Sequence, residues 1–410
     1  MPAAVGNDVC CGMRLLMTDL SAEEIERHMP AIEHRLRAVF FRGERNIPMS
    51  PRQREALLRD GLQGLHETCG DNAREGTWRH YDPVSQASDL SKSHFEGTLP
   101  ARDVFGFGAF IRASWANDGR DGQIGSVGGG NHFVEIQRVE EIADGAAAHA
   151  WGVSKGNIAI MVHTGSVGLG HLVGGHFEDV AKSLFPTSMR HPQHGFYVLP
   201  TGGPHARHAA TYLDAMRNAA NFAFANRLFL GLMAARAIGE ATGREVATKL
   251  VYDAPHNLIW EQGEGRYLHR KGATPALGME ESGPFAYTGH PVIVPGSMGA
   301  ASYLLAGSGN EQALCSACHG AGRAMTRGKS IHVDDGIYRE ATERLHVVTP
   351  IDPEAPNVRH RRDILAKYHS RMKEEAPYAY KSITAVIESI ESAGVARQVA
   401  RLWPLVTVKG

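Results

Sequence analysis

NIAIMVHTGS, residues 157–166, is the stretch from which the fold can be read. Five apolar residues, Ile158 to Val162, run without a break, stop at His163 and turn through glycine, which is the signature of a buried strand that ends on a polar group. Three other segments read the same way. HFVEIQRV (132–139) alternates like a strand, TKLVYDAPHN (248–257) is a strand that stops at Pro255 just before His256, and HPVIVPGSMGAASYLLAGSGN (290–310) is a short strand followed by a glycine turn. Helical periodicity surrounds them. Residues 21–40 carry a capping-box pattern at Ser21 and Glu24, with Ile25, Met29, Ile32, Leu36 and Val39 at helical spacing. Residues 50–67, the Ala-rich 205–242 ended by Gly243, 361–375 and 382–401 also read as helices. Residues 70–130 are rich in Gly, Asp and Ser, so loops dominate there. The expectation is a mixed α/β (α+β) fold, a mixed β core with flanking helices. It forms one domain over residues 1–410, with a helical and loop-rich subregion at 20–125.

The composition excludes several classes. Lys and Arg number 43 against 44 Asp and Glu, which argues against a broad basic surface for duplex nucleic acid. No apolar run reaches the ~18 residues of a membrane span. MPAAVGNDVCCGM (1–13) has no basic region followed by an apolar stretch, so no export signal is visible. Five cysteines, two of them adjacent, fit a cytoplasmic protein with functional thiols better than a disulfide framework. The 22 histidines and 46 glycines are unusual, and many of the glycines sit beside histidines.

Those pairings concentrate in DVCCGM (8–13), GGGNHFVEI (128–136), HTGSVGLG (163–170) and CHGAGR (318–323), with APHN (254–257) adding a proline-preceded histidine. Asp8, Cys11, His132, His163 and His256 are candidate metal ligands. One carboxylate, one thiolate and three imidazoles suit Zn, Mn or Co better than Mg or Ca. Singly, each has a bland reading: a histidine near glycine is usually structural, and a cysteine is usually a small buried hydrophobe. Together, at strand ends and on loops, the functional reading prevails. In a strand, Asn131, Phe133 and Glu135 share one face and His132 takes the other, so a metal and an organic ligand can sit on opposite sides. Cys315–His319 matches the haem-attachment pattern, but that chemistry needs export. Gly328-Lys329-Ser330 lacks the first glycine of a P-loop, because position 323 is Arg323. Gly168-Leu169-Gly170 lacks the third glycine of a dinucleotide fingerprint, because position 173 is Val173.

PAAVGNDVCCGM, GGGNHFVEI, HTGSVGLG, PHN, HRKGA (269–273), PGSMGAASYL (295–304), CHGAGRAMTR, AYKSI (379–383) and VKG (408–410) run from residue 2 to residue 410. In that order they resemble the motifs of the RtcB family of RNA ligases. The resemblance implies a single catalytic domain of that family's type. It also implies an enzyme that joins an RNA 3′-phosphate or 2′,3′-cyclic phosphate to a 5′-hydroxyl, using GTP and two Mn2+ ions. By resemblance His319 is the nucleophile that forms a histidine–GMP intermediate. Cys11 bridges two metals, one completed by His163 and His256 and the other by Asp8 and His132. Asn131 contacts the GMP phosphate, Glu135 and Lys409 read guanine, and Tyr380 stacks on it. Further nucleotide contacts are implied at Pro295, Gly296, Ser297, Met298, Ser302, Gly320, Ala321 and Gly322. Arg323, Arg270 and Lys271 are the implied holders of RNA phosphate.

Three departures accompany the resemblance. Met1 falls directly at the PAAVG motif, where the family has a preceding segment, so a short N-terminus is expected. Val167 stands where the family has arginine, and Cys10 where it has glycine. The expected partners are RNA ends and GTP, with the protein acting as a monomer away from membranes. Two other readings remain open from sequence: a metal-dependent RNA-end phosphodiesterase or phosphatase, and a non-catalytic RNA-end-binding paralogue.

Overall fold

The structure, a computed structural model, describes residues 1–71, 75–108 and 124–410. Twelve strands are described: β1 (Gly12–Ser21), β2 (Phe133–Ile142), β3 (Asn157–Thr164), β4 (Thr248–Pro255), β5 (Asn257–Glu261), β6 (Tyr267–Lys271), β7 (Ala273–Pro275), β8 (Pro291–Val294), β9 (Ser302–Gly307), β10 (Ser316–Cys318), β11 (His346–Val348) and β12 (Ala396–Val408). The main sheet runs β4-β1-β3-β2-β12-β9-β8, with β11 also paired to β12. Every pairing in it is antiparallel except β11 with β12. The pairs β5–β6 and β7–β10 form two small sheets beside it. This is the mixed α/β architecture expected from the strand and helix patterns.

The side-chain period of two divides the core between the sheet's faces. Leu16, Val134, Ile136, Ile160 and Val162 point into one apolar cluster. Their neighbours Met13, Leu15, Met17, Phe133, Ala159 and Met161 point into the other. The helix Ala206–Thr242 covers the first face, packing against β1, β3 and the helices Met29–Phe41, Pro51–Glu67 and Val167–Ser183. This one helix among the described residues is long and apolar enough to cross a membrane. However, 89% of its apolar window is buried inside the protein, and it serves as the central helix of the core. It ends where the sequence indicates, at Gly243 in the left-handed conformation.

Five expectations are corrected. The helix expected over 382–401 stops at Ser392; Gly394 turns the chain at φ +62°, and β12 follows. Pairing with β2 on one side and with β9 and β11 on the other outweighs the helical periodicity of that segment. The glycine turn after β8 leads into a further strand, β9. The 21–40 helix breaks at His28, ahead of Pro30. HTGSVGLG opens an unexpected helix, Val167–Ser183, despite its glycines. A side chain at Gly170 or Gly174 would collide with Asn7, whose loop lies against that helix, so close approach explains the glycines. Within 70–130, short helical turns at Gly76–His80 and Pro83–Leu90 interrupt the loops, and 109–123 lie outside the described residues.

Candidate active site

Register gathers the polar strand ends. Gly12, the first residue of β1, pairs with Thr164 of β3 and Pro255 of β4. His163 lies opposite both Met13 of β1 and Phe133 of β2. Antiparallel neighbours therefore place the starts of β1 and β2 and the ends of β3 and β4 at one edge. Cys11, His132, His163 and His256 sit at those four ends. Main-chain bonds hold the junction: the His256 N–H donates to the Cys11 carbonyl at 2.7 Å, and the Cys10 N–H to the Asn257 carbonyl at 2.7 Å.

The Cys11 Sγ is 3.3 Å from the Nε2 of both His132 and His163. His163 Nε2 is 3.4 Å from His256 Nε2, and His132 Nε2 is 2.9 Å from Asp8 Oδ2. Two candidate metal triads result, Cys11–His163–His256 and Asp8–Cys11–His132, with the thiol common to both. Burial holds the His163 and His256 imidazoles well below their ordinary pKa, so both are neutral with lone pairs free near neutral pH. Burial and the neighbouring Asp8 carboxylate push the Cys11 thiol well up. Burial also pushes Asp8 up, but the His132 charge and hydrogen bonds from His132 and Cys11 outweigh it and leave the carboxyl low. A converging set of one sulfur, three ring nitrogens and a carboxylate is chemically suited to soft-to-intermediate divalent cations. Asp8 Oδ1 is buried without a partner among the described residues, a further donor atom available to such an ion.

Arg227, projecting from the long helix, is fully buried behind this cluster. Its Nη1 donates to the Cys10 carbonyl at 2.7 Å and the Thr164 carbonyl at 3.1 Å, and its Nε bonds Asp253 at 2.8 Å. Arg14 donates to the other oxygen of Asp253 at 3.2 Å. Asn226 beside it bonds the N–H groups of Gly125 and Ser126 and the carbonyls of Ser126 and Gly165. These two residues tie down the backbone beside Cys11 and His163 and the segment that leads to His132. Sequence reading missed them, because the groups that give a buried arginine or amide its role here are distant in sequence.

His319 completes the cluster. Its ring stacks on His256, with centroids 3.7 Å apart at 17°, and lies 5.6 Å from the His163 ring. Its N–H donates to the Gly272 carbonyl at 3.2 Å. Gly272 in turn donates to Asn257 Oδ1 at 2.9 Å, and Asn257 Nδ2 donates to the Asp8 carbonyl at 3.3 Å. Burial lowers the pKa of His319 to about 4, opposed by Asp8 and assisted by His132. The imidazole is therefore neutral at physiological pH, with a ring-nitrogen lone pair.

His319 also faces a cavity that opens to solvent. Asn131, Phe133, Glu135, Tyr380 and Lys409 line it, together with Pro295–Met298, Gly320 and Ala321. Two residues that sequence reading did not anticipate, Glu375 and Thr407, line it as well. Ser302 is buried behind the wall, where its Oγ accepts from the Gly296 N–H and Gln137 Nε2, each at 3.0 Å. The Gly322 carbonyl accepts from Lys381, away from the cavity lining. Glu135 is oriented by two donors, Thr407 Oγ1 at 2.7 Å and Gln137 Nε2 at 2.6 Å, and burial raises its pKa to about 7. Lys409 donates to the Gly130 carbonyl at 2.6 Å, and burial lowers its pKa.

The three cations expected from sequence to face RNA are placed differently from one another. Arg323 bonds the Tyr380 hydroxyl at 3.2 Å and the Glu374 carbonyl at 2.7 Å, and pairs with Glu375 at 3.5 Å. Arg270 is buried over the Trp260 ring and bonds Ser316 and the Leu314 carbonyl. Lys271 is exposed, with its ammonium against Gly6. Val167 and Cys10 both adopt left-handed backbone, at φ +47° and +56°, a conformation uncommon for any residue with a Cβ and rarest for a β-branched one. Both are buried.

Comparison with known proteins gives one consistent result. The family model described as tRNA-splicing ligase RtcB matches residues 1–410. The chain is 34% identical to an RNA-splicing ligase RtcB of Mycobacterium tuberculosis, with all of this chain and 90% of that protein aligned. It is 31% identical to a tRNA-splicing ligase RtcB of Thermococcus kodakarensis, covering 81% of it. It is also 31% identical to an RNA-splicing ligase RtcB homolog 1 of Entamoeba histolytica, covering 74% of it.

Proposed function

Because the chain belongs to the RtcB family of RNA-splicing ligases, we propose that it joins RNA 3′-phosphate or 2′,3′-cyclic phosphate ends to 5′-hydroxyl ends with GTP, through a histidine–GMP intermediate on His319. The observation that carries this reading is the position of His319: a neutral imidazole at the boundary between the cavity and the Cys/His cluster. In the proposed reaction a ring nitrogen of His319 attacks the α-phosphorus of GTP. An N–P bond forms, the α–β phosphoanhydride breaks, and pyrophosphate leaves. The RNA 3′-phosphate oxygen then attacks the same phosphorus, frees His319 and takes the GMP. Finally the 5′-hydroxyl attacks the RNA phosphorus, loses its proton and expels GMP. A cyclic end is first opened to the 3′-phosphate by water.

The protein's own groups have defined parts in this scheme. Glu135, fixed by Thr407 and Gln137, accepts from the N–H edge of guanine, an edge adenine lacks. Lys409 approaches the same base, Tyr380 offers a ring face, and Asn131 reaches toward the α-phosphate. The two triads sharing Cys11 would hold two divalent cations, Mn2+ by the family resemblance; when bound, these offset charge on the phosphates. The test is incubation with radiolabelled GTP and Mn2+ followed by denaturing electrophoresis. Wild type is expected to carry a covalent label that His319→Ala lacks. An unlabelled wild type, or a label that survives the substitution, refutes the mechanism.

A further inference from the structure

Glu375 is 5% exposed, lines the cavity, and has no part in the chemistry described above. Its Oε2 accepts a hydrogen bond from the Tyr380 hydroxyl. Its Oε1 lies 3.5 Å from Arg323 Nη1 and 3.5 Å from Arg327 Nε. Arg323 closes the arrangement from the other side. It donates to the Tyr380 hydroxyl at 3.2 Å, and its guanidinium carbon is 5.0 Å from the centre of that ring. Tyr380 is thus held at its hydroxyl by a carboxylate and a guanidinium that are themselves paired.

The same contact governs the His319 loop. The chain from Gly320 to Ala324 has little regular structure of its own, and two of its first three residues are glycines without side chains to anchor it. It is joined to the Tyr380 segment by main-chain bonds from Lys381 N–H to the Gly322 carbonyl and from Ala324 N–H to the Ala379 carbonyl, both at 2.9 Å. Arg323 and Tyr380 are bridge partners at the centre of that pairing. Arg323 is further tied to the Glu374 carbonyl at 2.7 Å and to Ser330 Oγ at 3.3 Å. One carboxylate therefore braces both the aromatic wall of the cavity and the first side chain with a polar head after His319.

The geometry points to Glu375 as a positioning residue that couples purine contact at Tyr380 to the placement of the His319 loop. A planar base settling against Tyr380 meets a ring already oriented, and through Arg323 the same brace sets where the nucleophile stands. The inference rests on the reading of the cavity as a nucleotide pocket. It assigns Glu375 no contact with the reacting atoms.

Glu375→Gln keeps an acceptor for Tyr380 but removes the charge that holds Arg323 and Arg327. Tyr380→Phe keeps the ring and removes only the hydroxyl. Two measurements separate positioning from a merely structural role. One is calorimetric titration of the Mn2+-loaded protein with guanosine 5′-(α,β-methylene)triphosphate, which cannot react. The other is the rate of label transfer from GTP at saturating concentration. Each single variant is expected to weaken analogue binding about tenfold and to slow labelling at saturation, the size of effect typical of losing a charge-assisted hydrogen bond. The double variant should be no worse than the more affected single variant, because both loosen one linked network around Arg323. Wild-type binding and rates in the single variants, or losses that multiply in the double variant, overturn the assignment. If Glu375→Gln fails to fold, Tyr380→Phe decides alone. If wild type binds the analogue but is never labelled, the ligase mechanism fails while the binding measurement still decides the role of Glu375.

Discussion

Single residues at this site are held in states they would not adopt in water, and pH exposes that. Glu135 is 1% exposed, and its pKa of about 7 lies above the ordinary 4.5. The folded protein therefore binds this proton more tightly than the unfolded chain. The stability penalty is absent below the ordinary value, grows as pH rises through the interval, and is complete above about 7, where it amounts to about 3 kcal/mol. Glu135→Gln removes it. The melting temperature of the variant relative to wild type should thus rise between pH 5 and pH 8, and a gap that stays constant over that range contradicts the reading. Arg227 gives a second prediction. Arg227→Met leaves Asp253 with Arg14 alone and strands the Cys10 and Thr164 carbonyls, and should cost about 3–5 kcal/mol in urea denaturation. At this scale the sequence was legible where chemistry is unusual. Asp8, Cys11, His132, His163 and His256 could be nominated because their residue types converge on metal chemistry. Arg227, Gln137 and Glu375 could not, since a buried arginine, amide or carboxylate reveals its role only through partners distant in sequence.

Among elements, the helix Ala206–Thr242 does more than fill the core. Asn218, Asn221 and Asn226 are all fully buried on it, and each bonds loop backbone, at Asp103, Leu99 and Ser126. Asn218 and Asn221 both donate to the Leu58 carbonyl, at 2.9 and 3.0 Å, beside the kink at Asp60 and Gly61 in the helix Pro51–Glu67. Asn226→Ala leaves two N–H groups and two carbonyls near the candidate ligands without their partner. A loss of about 2–4 kcal/mol is expected from the denaturation midpoint. Strands β2, β3 and β4 were legible because short apolar or alternating runs end on turn residues. β12 was not, because its apolar spacing also satisfies a helix and only its neighbours in the sheet decide. The helix Val167–Ser183 was hidden by glycines that are there for close packing against Asn7 rather than for flexibility.

For the whole molecule, the cluster should dominate acid sensitivity. His163, His256 and His319 all have folded pKa values below the ordinary 6.5. As pH falls through that value the unfolded chain takes up protons first, so folding stability declines from there toward each group's folded value. Together these three groups should cost up to about 4 kcal/mol per pH unit in the metal-free protein, offset by about 1 kcal/mol per unit as Glu135 takes up its proton. Chemical denaturation at half-unit intervals measures the slope, and a flat profile between pH 6.5 and 5 contradicts it. Cation affinity has the opposite pH limit. A cation held by the triads that share Cys11 would need the thiolate, so divalent-cation affinity, probed with Mn2+ by calorimetric titration, should rise about tenfold per pH unit above neutrality. The antiparallel closure that builds the cluster has a kinetic consequence too. Cys11 and His163 are 152 residues apart, and long-range strand pairing of that kind is slow to form. The unfolded chain meanwhile carries 22 histidines able to capture cations in wrong combinations. Refolding from denaturant should therefore be faster and more complete when divalent metal is withheld until the sheet has assembled.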